Sequence, residues 1–223
     1  MTLPNLKYEL LIFDFDGTLA DSFEFFIAVF DRLADRHGFR RIAGEDINVL
    51  RGYDARQIMK HVGIPLWKVP DVAHEFKALM AKEISRVALF EGVSDMLHSL
   101  VAQGVRLAVL TSNSESNVKA VLGPSNAALI GQYECGAALF GKRSKLRRLV
   151  SASGIARHRI LCIGDETRDA EAARAEGIAF GAVSWGYTRL DALQAKSPEL
   201  VFSSVSDIPH QLGMHSIQSP EAR

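Results

Sequence analysis

The stretch Leu10-Leu11-Ile12-Phe13-Asp14-Phe15-Asp16-Gly17-Thr18-Leu19 decides how the chain is read. Its apolar start reads as a parallel strand buried on both faces. It runs into Asp14 and Asp16, two residues apart, followed by Gly17-Thr18. Strand side chains alternate with period two, so both carboxylates leave the same face while the extended geometry lasts. Two carboxylates held that close resist ionising together, which raises one pKa and lets that group carry a proton near neutral pH. Such a pair supplies a nucleophile and an acid/base, provided a cation offsets the remaining charge. Gly17 lets the chain turn sharply out of the strand. The plain alternative is an acidic turn, since Asp and Gly are ordinary turn residues.

Working outward, residues 20–88 read as helical with little strand signal. Phe23, Phe26, Ile27 and Phe30 have helical spacing, and further helices are expected at 55–62 and 72–87, separated by Gly63-Ile64-Pro65. From Phe90 the texture changes. Helix patterns at 94–103, 114–122, 144–153, 168–176 and 205–212 alternate with apolar runs at 105–110, 160–163, 178–183 and 200–202. That alternation marks βα units. The expected fold is α/β: a Rossmann-like parallel sheet with helices on both faces, formed by residues 1–19 and 89–213, with an all-helical block inserted at 20–88. Residues 214–223 read as a flexible tail.

In open α/β sheets, ligands bind beyond the carboxyl ends of the strands. The first run ends at Asp14. The second ends in Thr111-Ser112-Asn113, a hydroxyl with two loop amides ahead of a helix, suited to an anion; helix capping by Thr111 or Ser112 is the simpler reading. The third ends in Gly164-Asp165-Glu166-Thr167-Arg168-Asp169. Asp165 and Asp169 come together if a helix starts between them. With Asp14 they make an oxygen-only group suited to Mg²⁺, although an acidic helix start is favourable in itself. Positive charge for a phosphate is expected from Lys142 or Lys145. A rival phosphate loop, Gly136 to Lys142, has Arg143 where a hydroxyl is required, and Gln132-Tyr133-Glu134 make a poor buried strand before it.

Twenty-six basic residues balance twenty-six acidic ones over 223 residues, which gives no reason to expect nucleic acid or an anionic membrane as partner. The N-terminal apolar run is broken by Asn5, Lys7 and Glu9, so no signal peptide is expected, and no apolar segment is long enough to span a bilayer. Cys135 and Cys162 have neither metal nor redox spacing, and the seven histidines are scattered. A reduced, cytoplasmic protein is expected. Nothing in the sequence sets an oligomeric state.

Taken together these residues resemble the haloacid dehalogenase superfamily, in its phosphatase branch with a helical cap, of the phosphoglycolate phosphatase type. The first motif stands as Asp14-Phe15-Asp16-Gly17-Thr18, extended by Leu19-Ala20-Asp21-Ser22. The second is similar at Thr111, the third is a lysine before a helix, and the fourth stands as Gly164-Asp165 through Asp169. The resemblance implies that Asp14 is the nucleophile, forming an aspartyl-phosphate, and that Asp16 is the general acid/base. It implies that Mg²⁺ is held by Asp14, the Asp16 carbonyl and Asp165, with Asp169 behind them. Thr111, Ser112, Asn113 and the lysine would hold the phosphoryl oxygens. Lys142 is preferred to Lys145 because Leu146, Leu149 and Gly154 follow it at the family's spacing. The chain departs from the family in having Arg143 after the lysine and Glu166 where small residues are common.

By the same resemblance the insert at 20–88 is a cap that reads the leaving group. Arg51-Gly52-Tyr53 lie in a turn that points toward substrate or is simply a surface loop, and Trp185-Gly186-Tyr187 border the cleft, with Trp185 read as packing. The implied activity is Mg²⁺-dependent hydrolysis of a small phosphorylated metabolite. The alternatives are a phosphosugar mutase of the β-phosphoglucomutase type and a non-catalytic binding module on the same fold.

Overall fold

A computed structural model describes residues 6–136 and 141–213. The tail expected at 214–223, and Ala137 to Phe140 of the rival phosphate loop, lie outside the described residues.

The apolar start of the opening stretch forms β1 (Leu10–Phe13), with every residue buried. The chain next makes a two-residue strand, β2 (Ala20–Asp21). It then passes through α1 (Phe23–His37), α2 (Ile47–Leu50), α3 (Ala55–Val62) and α4 (Val69–Lys82). It returns through β3 (Ala88–Leu89), which pairs antiparallel with β2. This ribbon joins the outgoing and returning chain, and two residues per strand are too few for periodicity to reveal. The expected helix at 72–87 is displaced: α4 starts three residues earlier because Pro70 fits the first turn, where its missing N–H costs nothing. Within the helical block Phe26 packs on Phe30 and Phe76, with ring centroids 5.8 and 5.4 Å apart.

The returning chain builds α5 (Val93–Ala102), β4 (Arg106–Leu110), α6 (Glu115–Leu129), β5 (Ile130–Glu134), α7 (Lys142–Ser153) and β6 (Ile160–Gly164). It continues with α8 (Thr167–Glu176), β7 (Ala179–Val183), α9 (Leu190–Gln194), β8 (Leu200–Phe202) and α10 (Asp207–Gln211). Six strands form one parallel sheet in the order β5-β4-β1-β6-β7-β8. The fold class is the α/β, Rossmann-like one expected. Gln132-Tyr133-Glu134, read as a poor strand, do pair with β4. They tolerate polarity because β5 is the sheet edge and only partly buried. Helix α6 is broken at Gly123, whose φ of 71° leaves helical space, and Pro124 restarts it.

Two apolar layers sandwich the sheet, with Leu11 and Phe13 facing one and Leu10 and Ile12 the other. That two-sided burial is why β1 and β6 read as unbroken apolar runs. Strand β1 is central: Phe13 lies opposite Val109 on one side and Ile163 on the other. Chain direction across the sheet reverses around it, which opens a crevice where Asp14, Thr111 and Asp165 leave the strands. Among the described residues no helix is long and apolar enough to cross a membrane.

Candidate active site

Asp14 follows β1 and is 3% exposed. Its Oδ1 accepts the Phe15 amide at 2.8 Å, and its Oδ2 lies 2.6 Å from Lys142 Nζ. Lys142 opens α7, is buried, and also touches Asp169 Oδ1. Burial opposes the ammonium charge, but the Asp14 and Asp169 carboxylates outweigh it and hold the group above its ordinary value. Lys145 turns away to the Cys135 carbonyl and lies 4.0 Å from Glu134. Of the two candidate lysines, Lys142 is the one that reaches the crevice.

Asp165 follows β6 directly and is fully buried. Thr18 Oγ1 donates to its Oδ1 at 2.7 Å, and the Tyr187 amide donates to its Oδ2 at 2.7 Å. Burial, then the Asp14 charge, push its pKa well above the usual carboxylate range. Asp169 is pushed the same way by burial, with Lys142 pulling back. Asp169 also accepts the Glu166 amide at 3.1 Å, part of a capping box at the start of α8. Helix capping and charge clustering therefore coexist at this carboxylate.

One oxygen each from Asp14, Asp165 and Asp169 lies within 4.8 Å of the others. Three buried carboxylates facing one ammonium leave negative charge to be offset, and their oxygen-only donor set fits a hard divalent cation. Glycines make room for them. A Cβ on Gly186 would fall inside the Asp165 side chain, and one on Gly17 would strike Asp165 and lie 2.6 Å from the Tyr187 ring. Gly17 also has φ +78°, which favours glycine by itself.

Asp16 is half-buried. Ser22 Oγ donates to its Oδ1 at 3.1 Å, and Asn113 Nδ2 lies 3.2 and 3.4 Å from its two oxygens. Its pKa is pushed up to about 6, by burial first and by Asp14 second. The rise expected for one member of this pair thus falls on Asp16, and lost solvation contributes more than like-charge repulsion. Thr111 is buried, and its Oγ1 accepts the Asn113 amide at 3.0 Å. That amide, expected to be free for an anion, is already used. Ser114, rather than Thr111 or Ser112, caps α6. Ser112 is half-buried in the same loop.

The Arg51-Gly52-Tyr53 turn docks on the core. Arg51 Nε donates to the Tyr187 carbonyl at 3.0 Å and Nη2 to the Gly186 carbonyl at 2.6 Å, with the guanidinium 5.6 Å from the Phe23 ring centroid. A Cβ on Gly52 would lie 3.3 Å from the Val49 carbonyl. Tyr53 faces His61 inside the helical block, with ring centroids 6.1 Å apart. Trp185 Nε1 donates to the Thr18 carbonyl at 3.2 Å, in keeping with packing. Tyr187 and Ser22 contribute more than their sequence context suggested. The Tyr187 hydroxyl is 2.9 Å from Ser22 Oγ, and its pKa is pushed well up by burial and then by Asp16. Arg168, half-buried beside Glu166 at 2.6 Å, adds a second positive charge at this rim.

The profile of the haloacid dehalogenase-like hydrolase family matches residues 11–183. The chain belongs to this family. It is 32% identical over 201 residues to a phosphoglycolate phosphatase from Synechococcus elongatus, covering 90% of this chain and 95% of that one. It is 27% identical to the tyrosine-protein kinase PtkA of Mycobacterium tuberculosis, over 95% of this chain and 75% of that protein. In three dimensions it is similar to a haloacid dehalogenase-like family hydrolase from Streptococcus pneumoniae, with a TM-score of 0.78 at 17% identity, covering 92% and 98% of the two chains. As a haloacid dehalogenase-like hydrolase it is of the phosphatase type, like the phosphoglycolate phosphatase it matches along nearly its whole length.

Proposed function

We propose that this protein is a Mg²⁺-dependent phosphomonoesterase acting on a small phosphorylated metabolite through a covalent phosphoryl-Asp14. One juxtaposition carries the reading: Lys142 bridges Asp14 and Asp169 while Asp165 supplies a third carboxylate, each from a different strand end or helix start. Asp14 attacks phosphorus as the ester P–O bond breaks, and Asp16 gives its proton to the departing alkoxide. Asp16 then takes a proton from the water that cleaves the phosphoryl-aspartate, releasing phosphate and freeing Asp14. Lys142, Thr111 and the Ser112-Asn113 loop position the phosphoryl oxygens, and Asn113 reaches them by exchanging its amide from Thr111 to the ligand. Asp14, Asp165 and the Asp16 main-chain carbonyl would hold Mg²⁺, with Asp169 beside them; the ion would offset charge on the transferring group.

Residues 20–88 serve in this reading as a cap over a core of residues 1–19 and 89–213, hinged at the β2–β3 ribbon. Arg51 anchors the cap near the substrate. The free thiols Cys135 and Cys162 suit a reducing compartment such as the cytoplasm. The 32% relative makes phosphoglycolate the first substrate to try.

The test is release of inorganic phosphate from a panel of phosphorylated metabolites with and without Mg²⁺. Turnover that needs the ion and is lost in Asp14→Asn supports the reading. Conversion to an isomerised sugar phosphate without phosphate release would replace it with a mutase, and turnover surviving Asp14→Asn would overturn it.

A further inference from the structure

Ser22 is 1% exposed, and its hydroxyl has a single hydrogen to give. Asp16 Oδ1 accepts it at 3.1 Å; the alternative acceptor, the Ala20 carbonyl, is 3.5 Å away and too far for a sound bond. With that hydrogen committed, Ser22 Oγ is the acceptor in its 2.9 Å contact with Tyr187 Oη. Tyr187 itself is held on several sides. Its ring sits against Phe23 and Phe26 of α1, at centroid distances of 5.2 and 5.6 Å. Its amide binds Asp165, and its carbonyl accepts Arg51.

A carboxyl group rotates about a broad, nearly two-fold torsion, so its two oxygens exchange unless unequal partners distinguish them. Asn113 Nδ2 lies at 3.4 and 3.2 Å from the two oxygens of Asp16 and distinguishes them poorly. The ordered chain Tyr187 to Ser22 to Oδ1 does distinguish them.

We infer that Tyr187 is a positioning residue for Asp16, acting through Ser22: it holds Oδ1 as an acceptor and leaves Oδ2 as the oxygen that carries and delivers the proton. This deepens the proposed function and rests on Asp16 being the general acid. Removing the Tyr187 hydroxyl leaves Ser22 free to turn and Asp16 free to rotate, so the proton is misplaced in a share of encounters. The loss then scales with how much the leaving group needs that proton.

The experiment compares single-turnover release of an aryl leaving group, from 4-nitrophenyl phosphate, with release of an alkyl one, from glycerol phosphate. Wild type, Asp16→Asn, Tyr187→Phe, Ser22→Ala and the Tyr187→Phe/Ser22→Ala double variant are measured with Mg²⁺ present. Tyr187→Phe is expected to slow the alkyl substrate about tenfold, the worth of one hydrogen bond, and the aryl substrate at most about threefold, with little change in KM. Ser22→Ala should give the same split, and the double variant should be no slower than either single one, because all interrupt one chain. Equal losses on both substrates, or losses that multiply in the double variant, would overturn the inference. If Asp16→Asn shows the split and Tyr187→Phe does not, only the positioning role fails. If Asp16→Asn slows both substrates alike, the acid assignment fails and takes this inference with it.

Discussion

Lys142 Nζ sits 2.6 Å from Asp14 Oδ2 and touches Asp169 on its other side, so one buried ammonium ties the first carboxylate of the acidic group to the last. Lys142→Ala would leave the buried Asp14 and Asp169 carboxylates without that partner. We expect kcat to fall by about 10²–10³, the usual cost of deleting a charge that stabilises a transferring anion. We also expect the melting temperature of the variant to depend on Mg²⁺ more steeply than that of wild type. Steady-state kinetics and thermal melts across a Mg²⁺ series check both, and Lys145→Ala, which alters only a partly buried contact to the Cys135 carbonyl away from the acidic group, should leave the rate within about threefold of wild type.

Gly186 has no room for a side chain because Asp165 occupies the space a Cβ would take. Gly186→Ala must displace that carboxylate or the loop. The expected result is a Mg²⁺ concentration for half-maximal activity raised about tenfold or more, with stability lowered by about 1–3 kcal/mol from overpacking. Titration of activity with Mg²⁺ and denaturant unfolding measure the two effects. An unchanged Mg²⁺ requirement would remove Asp165 from the metal set.

The raised pKa of Asp16 makes a stability prediction of definite sign. Its folded value of about 6 exceeds the ordinary 3.8, so the native state holds the proton more tightly than the unfolded chain. Stability from this group is present at low pH and is lost as pH rises from about 4 to about 6. In chelator-treated protein Asp16→Asn should therefore be more stable than wild type at pH 7, with the gap closing toward pH 4. Urea unfolding at several pH values measures it, and a gap that widens on acidification would contradict the burial of this carboxyl.

Arg51 joins the helical block to the Gly186-Tyr187 turn through two main-chain carbonyls. Hydrogen bonds from a charged donor contribute about 1.5–3 kcal/mol. Arg51→Ala should accordingly speed amide hydrogen exchange in residues 47–53 by at least about tenfold, while exchange in β1 and β6 stays as in wild type. Exchange followed by mass spectrometry checks this. A uniform change across the chain would mean that the arginine contributes to global stability instead.

Much of this arrangement was readable in the amino acids because it depends on local pattern. Strands β1 and β6 are apolar throughout since both faces are covered, and the residues that matter stand just beyond their ends. What escaped reading depends on partners far apart in sequence. The edge strand β5 is polar enough to pass for loop, and β2 and β3 are recognisable only as a pair. Lys142 and Lys145 are equivalent by composition; only the packing of α7 turns one inward. The Arg51 turn reads from the residues as substrate-facing or as a surface loop, and its hydrogen bonds to the Gly186 and Tyr187 carbonyls, 135 and 136 residues later, show only in the fold. Ser22 stood in the quoted motif, yet its link to Tyr187 spans 165 residues.

The central claim is that Asp14 carries the phosphoryl group. Rapid quenching during turnover with Mg²⁺, followed by borohydride reduction and peptide mass spectrometry, reads it directly. Reduction confined to the Asp14 side chain, dependent on substrate and absent in Asp14→Asn, is the predicted result. Turnover at full rate with Asp14 unmodified, or the label found on another residue, would contradict it.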